Sequence, residues 1–120
     1  MESILDTVKK LLGIQPEYTN FDEDIIVHIN TAFASLNQLG VGPVEGFLIY
    51  DGAAIWDDYI TSCNLTMIKS YIYLKVRLLF DPPTSTALIE SINRTLSEIE
   101  WRIFLEGDPK PVEEPPSNEE

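Results

Sequence analysis

Apolar residues recur at helical spacing along four stretches of this chain, and capping and breaking residues mark where each stretch begins and ends. In the first, Ile4, Leu5, Val8, Leu11 and Leu12 form a stripe over a helix predicted at 3–12. Ser3 is placed to cap it, Asp6 sits at the capping-box position, and Gly13 followed by Pro16 ends it. In the second, Ile25, Ile29, Ala32, Leu36 and Leu39 line a helix over 22–39, flanked by Ile26 and Phe33. Asp22 is the expected N-cap, with Glu23 and Asp24 at the positive end of the dipole. Phe21 and Ile26 have the spacing of a hydrophobic staple, and Gly40 is a stop.

The third stretch, predicted helical over 64–80, breaks the usual pattern of one apolar stripe and one wet face. On a wheel of about 100° per residue centred on Ile68, Leu65, Ile72, Val76 and Leu79 fall to one side. Met67, Tyr71, Leu74 and Leu78 fall to the other, and only Thr66, Ser70 and Arg77 share a polar arc. Lys75 interrupts the apolar arc close to Ile68. Asp81-Pro82-Pro83 forbids continuation. A helix covered on so much of its circumference is either central to the domain or shared with another subunit. The Tyr71–Leu78 flank and the Tyr73–Phe80 flank are the candidates for such sharing.

Between helices two and three, residues 40–55 hold four of the six glycines. Phe47 to Tyr50 followed by Asp51-Gly52 has the form of a short strand and turn. Trp56 to Ile60 reads as a short helix or turn. The fourth helix is predicted over 85–105, with Ser85, Leu88, Ile92, Leu96, Ile99 and Ile103 in one narrow stripe. Glu90, Arg94, Glu98 and Arg102 are spaced for a ladder of ion pairs. Trp101 and Leu105 do not join the stripe. Trp101 points almost opposite to Ile92, so helix four either packs on two sides within the protomer or offers an apolar patch to a partner. Residues 106–120, with four prolines, six acids and one lysine, have the composition of a disordered tail. The expected architecture is therefore all-α. A bundle of about four helices spans residues 1–105, with a Gly-rich loop or hairpin between helices two and three, and an acidic tail follows.

Charge and chemistry narrow the function by exclusion. Twenty acids against eight Lys and Arg give a net charge of −12, of which the tail carries −5 and the helical body −7. That argues against a phosphate grip on nucleic acid and against binding to an anionic membrane, but suits a passage that DNA must not stick to. Cys63 is the single cysteine, so no internal disulfide forms; the chain fits a reducing cytosol. The first apolar segment carries Asp6, Lys9 and Lys10 and is no signal peptide, and the run at 71–80 is too short and charged to span a bilayer. The single histidine, His28, reads as a boundary residue at the edge of the helix-two stripe. Asp57, Asp58 and nearby Asp51 read as solvated cap or turn residues, not a calcium loop. No Ser-His-Asp spacing and no phosphate loop is present, and no metal or cofactor is expected. Lys75 either snorkels along the apolar face or pairs with Glu98 or Glu100 across a helix or subunit interface.

The residues now on the page resemble a known family, the small helical head–tail connector proteins of tailed bacteriophages, also called adaptor or head-completion proteins. The likeness lies in the N-terminal helix from Ile4 to Gly13, the acidic start Asp22-Glu23-Asp24-Ile25-Ile26, and the end of helix two at Leu36-Asn37-Gln38-Leu39-Gly40-Val41-Gly42-Pro43. Trp56-Asp57-Asp58-Tyr59, the run Ile68 to Pro83, and Glu100-Trp101-Arg102 in the closing helix complete it. It covers about residues 1–105, and its most specific piece is Leu79-Phe80-Asp81-Pro82-Pro83. The resemblance implies a structural, non-catalytic protein of the virion neck, assembled in the bacterial cytoplasm. It further implies a ring of copies, typically a dodecamer, that docks beneath the portal, extends the DNA channel and presents a surface to a stopper or tail-completion protein. DNA would pass without sequence-specific binding. The segment around Trp101 to Pro116 corresponds to the part that engages the portal. The interface candidates are Trp101, Phe104, Leu105, Lys75, Tyr71, Tyr73, Trp56 and Tyr50. The alternative is a small acidic module that occupies a basic partner, as a DNA mimic does.

Overall fold

The structure is a computed structural model that describes residues 2–59 and 65–107. Its helices are α1 (Ile4–Leu12), α2 (Asp22–Gln38), α3 (Trp56–Tyr59), α4 (Leu65–Phe80) and α5 (Thr86–Gly107), and no strand occurs among the described residues. The all-α expectation holds, with the short Trp56 turn closing into a helix of its own. Ile60, Cys63 and the predicted first residue of helix three lie outside the described residues. So does the expected tail from residue 108 onward; its first two residues, 106 and 107, belong to α5.

Local chemistry sets most ends. The Asp6 N–H donates to Ser3 Oγ at 3.2 Å, and Gly13 ends α1 at φ 85°, a left-handed conformation that costs glycine little. Ser85 caps α5 by accepting from the Leu88 N–H at 3.2 Å; it is therefore a cap and not a member of the buried stripe. The start of α2 differs from expectation. Phe21 occupies the cap position and makes no side-chain cap bond, while Asp22 is the first helical residue. Lys9, only 1% exposed, explains the change: its Nζ lies 2.8 Å from Asp22 Oδ1 and donates to the Pro16 carbonyl at 2.9 Å. A sealed ammonium requires a counter-charge, and Asp22 supplies it instead of capping. The ring of Phe21 packs on Tyr18 and edge-on against Phe80, with centroids 5.6 and 5.3 Å apart.

The α4 helix is central. It packs against α1, α2 and α5, and its buried residues Ile68, Tyr71, Ile72 and Val76 meet one core with Ile4, Val8, Ile29, Phe33 and Leu36. Burying each such aliphatic side chain contributes about 1.5–3 kcal/mol. Leu79, placed by the wheel beside Ile68, is instead nearly half exposed in the last turn. The buried residues of α5 form a single stripe, Ile92, Leu96, Ile99 and Ile103; Leu88 is exposed. Of the expected ladder on α5, Glu98 and Arg102 pair at 3.1 Å on an exposed face, a contact of small worth.

The predicted strand at 47–50 does not pair with another strand. The side chain of Asn30 takes that place: its Nδ2 donates to the Ile49 carbonyl at 3.0 Å, and the Ile49 N–H donates to its Oδ1 at 2.9 Å. Phe47 packs on Phe33 and Tyr59, and Gly42, at φ 85°, lies so close to Tyr59 that a Cβ would stand 2.6 Å from its ring. The turn at Asp51-Gly52 forms as expected, with the Ala53 N–H donating to Asp51 Oδ1 at 2.9 Å. A lone antiparallel bridge, Ser3 to Ile55, ties the loop's end to the start of α1.

Candidate functional site

Two of the eight interface candidates lie inside the protomer. Tyr71 has no exposed surface, and its hydroxyl donates to Glu100 Oε2 at 2.7 Å. Burial, followed by that bond, holds its phenol proton well above the ordinary tyrosine range. Trp56 is 3% exposed and its Nε1 donates to Thr7 Oγ1 at 3.0 Å. Neither ring has a face to present to a partner, because the sequence pattern distinguishes apolar from polar faces but not which apolar face the protomer itself covers. Lys75 is also engaged internally: its Nζ stands 4.0 Å from Glu100 Oε2 and 5.7 Å from the Tyr71 ring centre. Glu100 was one of its two expected partners. Tyr71, Lys75 and Glu100 thus form a clasp between α4 and α5. Tyr73 is half-buried, and its hydroxyl accepts from Arg77 Nη1 at 3.3 Å.

The other four candidates form two exposed surfaces. On α5, Trp101 and Phe104 stack with centroids 5.9 Å apart and planes 23° from parallel. Both are exposed, as is Leu105, while Ile99 and Ile103 face inward from the same turns. Among the described residues α5 buries one side, and Trp101 and Phe104 stand exposed on its other flank. Tyr50, 81% exposed, belongs to the second surface together with Leu48 and Val44, beside a groove of about 520 Å³ between α2 and the 45–50 segment.

A third apolar surface escaped the sequence reading. Tyr18 and Phe21 are each nearly half exposed, and Phe21 lines a cleft of about 410 Å³ together with Leu12, Ile14, Phe80 and Asp81. The clustering of aromatics at 18, 21 and 80 is visible only once α2 and α4 are packed together. The sequence alone marks Phe21 as one half of a local staple with Ile26.

Asp58 Oδ2 accepts from the Ile55 N–H at 3.0 Å, which makes it a cap of α3, and Asp57 is exposed. His28 is half-buried with its ring 6.4 Å from Phe80. No group of three or more His, Cys, Asp or Glu among the described residues is arranged to hold a metal ion. No described helix is long and apolar enough to cross a membrane.

The described residues make an all-α body with a central helix, and the chain carries an acidic charge and exposed aromatic surfaces. Residues 4–110 match the phage connector protein family, and the chain belongs to it. No curated protein and no solved structure matches the chain. Membership makes this a bacteriophage head–tail connector, a structural component that contacts other head and tail proteins.

Proposed function

We propose that copies of this chain form a ring, a dodecamer in the virion, that docks beneath the portal after packaging and extends the DNA channel. The ring's other end meets a stopper or tail-completion protein, and assembly takes place in the host cytoplasm. The observation that carries this reading is the exposed Trp101–Phe104 stack on α5, a helix whose buried residues form one stripe. Stacked aromatics on a wet face are the kind of anchor that dominates contact energies. A ring contact is heterologous, one face of a subunit meeting a different face of the next. The α5 flank and the cleft at Phe21 and Phe80 are two such different faces. The charge of −12 suits a conduit that repels the DNA backbone and so lets it slide.

Electron microscopy of the protein mixed with purified portal tests the proposal. A ring of density added to the portal's tail-facing end is expected. A protein that stays monomeric and unbound in that mixture would sink the connector reading in this form.

A further inference from the structure

Residues 47–50 behave as a strand that lacks a neighbour. Phe47 and Ile49 turn inward while Leu48 and Tyr50 stand out, 54% and 81% exposed, the two-residue alternation of a strand. Asn30 binds both the N–H and the C=O of Ile49, at 2.9 and 3.0 Å, so these two groups point the same way, as they do only in extended backbone. In such backbone the N–H and C=O groups of Leu48 and Tyr50 aim at the opposite edge. No described residue hydrogen-bonds to them there.

The surroundings of this open edge specify its occupant. The groove beside the segment, bounded by Phe47, Leu48 and Tyr50 and by Ala34, Asn37 and Gln38 of α2, lies on the side that Asn30 already occupies, so the open edge faces away from it toward the surface. Glu45 precedes the edge and Asp51 follows it, both are exposed, and residues 11–68 contain no Lys or Arg at all. The field here is negative with no internal counter-charge from that stretch. We propose that the 47–50 edge is a strand-addition site for an extended, basic segment of a partner protein. Main-chain hydrogen bonds to Leu48 and Tyr50 give affinity, and Lys or Arg facing Glu45 and Asp51 gives specificity. The chain's own residues 108–120 are a poor occupant. They carry four prolines, which cannot donate to a ladder, and five acids against one lysine. The inference deepens the connector reading by giving one of its protein contacts a place and a chemistry.

A test that needs no portal keeps the two readings separable. An alternating Lys-Val octapeptide is added to the full chain, and amide hydrogen exchange is followed at Leu48 and Tyr50. Both amides are expected to exchange freely alone and to become protected with the peptide, while a Glu-Val octapeptide protects neither. Leu48→Pro removes one edge donor, keeps the Asn30 clamp, and should weaken the Lys-Val peptide about three- to tenfold, the worth of one backbone hydrogen bond. Leu48→Ala, which keeps the donor, should weaken it less. Unprotected amides, equal binding by the Leu48→Pro variant, or preferential protection by a peptide of residues 108–120 would each overturn the proposal. If Leu48→Pro loses its helical signal, Tyr50→Pro and the wild-type exchange pattern decide instead. A failed portal complex with a protected edge would count against the connector ring alone.

Discussion

An ammonium group shut away from water sets the geometry at the start of α2. Lys9 is 1% exposed and holds both Asp22, at 2.8 Å, and the Pro16 carbonyl, at 2.9 Å, so one side chain joins α1, the connection after it and α2. Lys9→Met keeps the apolar stem and leaves Asp22 unpaired. Asp22 is about a quarter exposed, so the loss should fall near the low end for a broken buried pair, about 3 kcal/mol, read from urea unfolding. Tyr71 and Tyr59 show the opposite arrangement, groups that the fold keeps neutral. Burial raises both phenols above the usual value of about 10, with the Glu100 bond adding to the effect at Tyr71. A raised pKa stabilises the fold fully below about pH 10 and ceases to do so as pH climbs toward the folded-state value. Unfolding midpoints should therefore hold to about pH 10 and fall above it, and Tyr71→Phe should flatten that alkaline fall. An unchanged alkaline limb in the Phe variant would contradict this account. At the acid end Glu2 is held below its ordinary value, first by the hydrogen bond from Lys69, but this pair is exposed and adds little.

At the scale of elements, α4 and the 40–55 loop carry opposite lessons. The apolar excess of α4 was legible from the wheel, because burial on several sides leaves few polar positions in any sequence. Its neighbours were not legible, since a wheel gives directions without partners. The sequence leaves a loop or a hairpin open because Phe47 to Tyr50 alternates as a strand does; the loop is what forms, and an amide on α2, remote in sequence, takes the partner strand's place. Asn30→Ala should expose this dependence. It leaves the buried N–H and C=O of Ile49 unsatisfied, with an expected cost of about 2–3 kcal/mol and faster exchange across 47–50. Gly42→Ala should also destabilise, because its φ is positive and the new methyl would meet Tyr59 at 2.6 Å. A fully stable Gly42→Ala variant would mean that the Tyr59 ring moves aside without cost.

For the whole molecule, the consequence is an uneven surface: one core, an acidic exterior, and apolar patches at the α5 end, at the loop and at the Phe21–Phe80 cleft. Trp101→Ala should leave helicity and stability nearly unchanged, because the ring is 59% exposed, yet weaken binding to portal or to a neighbouring copy. Undiminished binding would remove Trp101 from the interface. Among the residues whose burial is described, the last buried one is Ile103. Deleting 108–120 should then shift the thermal midpoint by no more than about 4 °C, equivalent to roughly 1 kcal/mol in a domain of this size.

Helix positions, the caps at Ser3 and Gly13, the stop at Pro82, the acidic charge and the family itself were all determined by the sequence alone. Each depends on near neighbours along the chain or on composition, and both are written directly in the residue order. Tertiary structure alone decided that Tyr71 and Trp56 are core, that Lys9 is sealed against Asp22, that Asn30 stands in for a strand, and that Trp101 remains bare. Those outcomes depend on which surfaces meet across long sequence separations. Apolar periodicity reports that a face is to be covered, and only the packed chain determines whether its own residues or another protein's cover it.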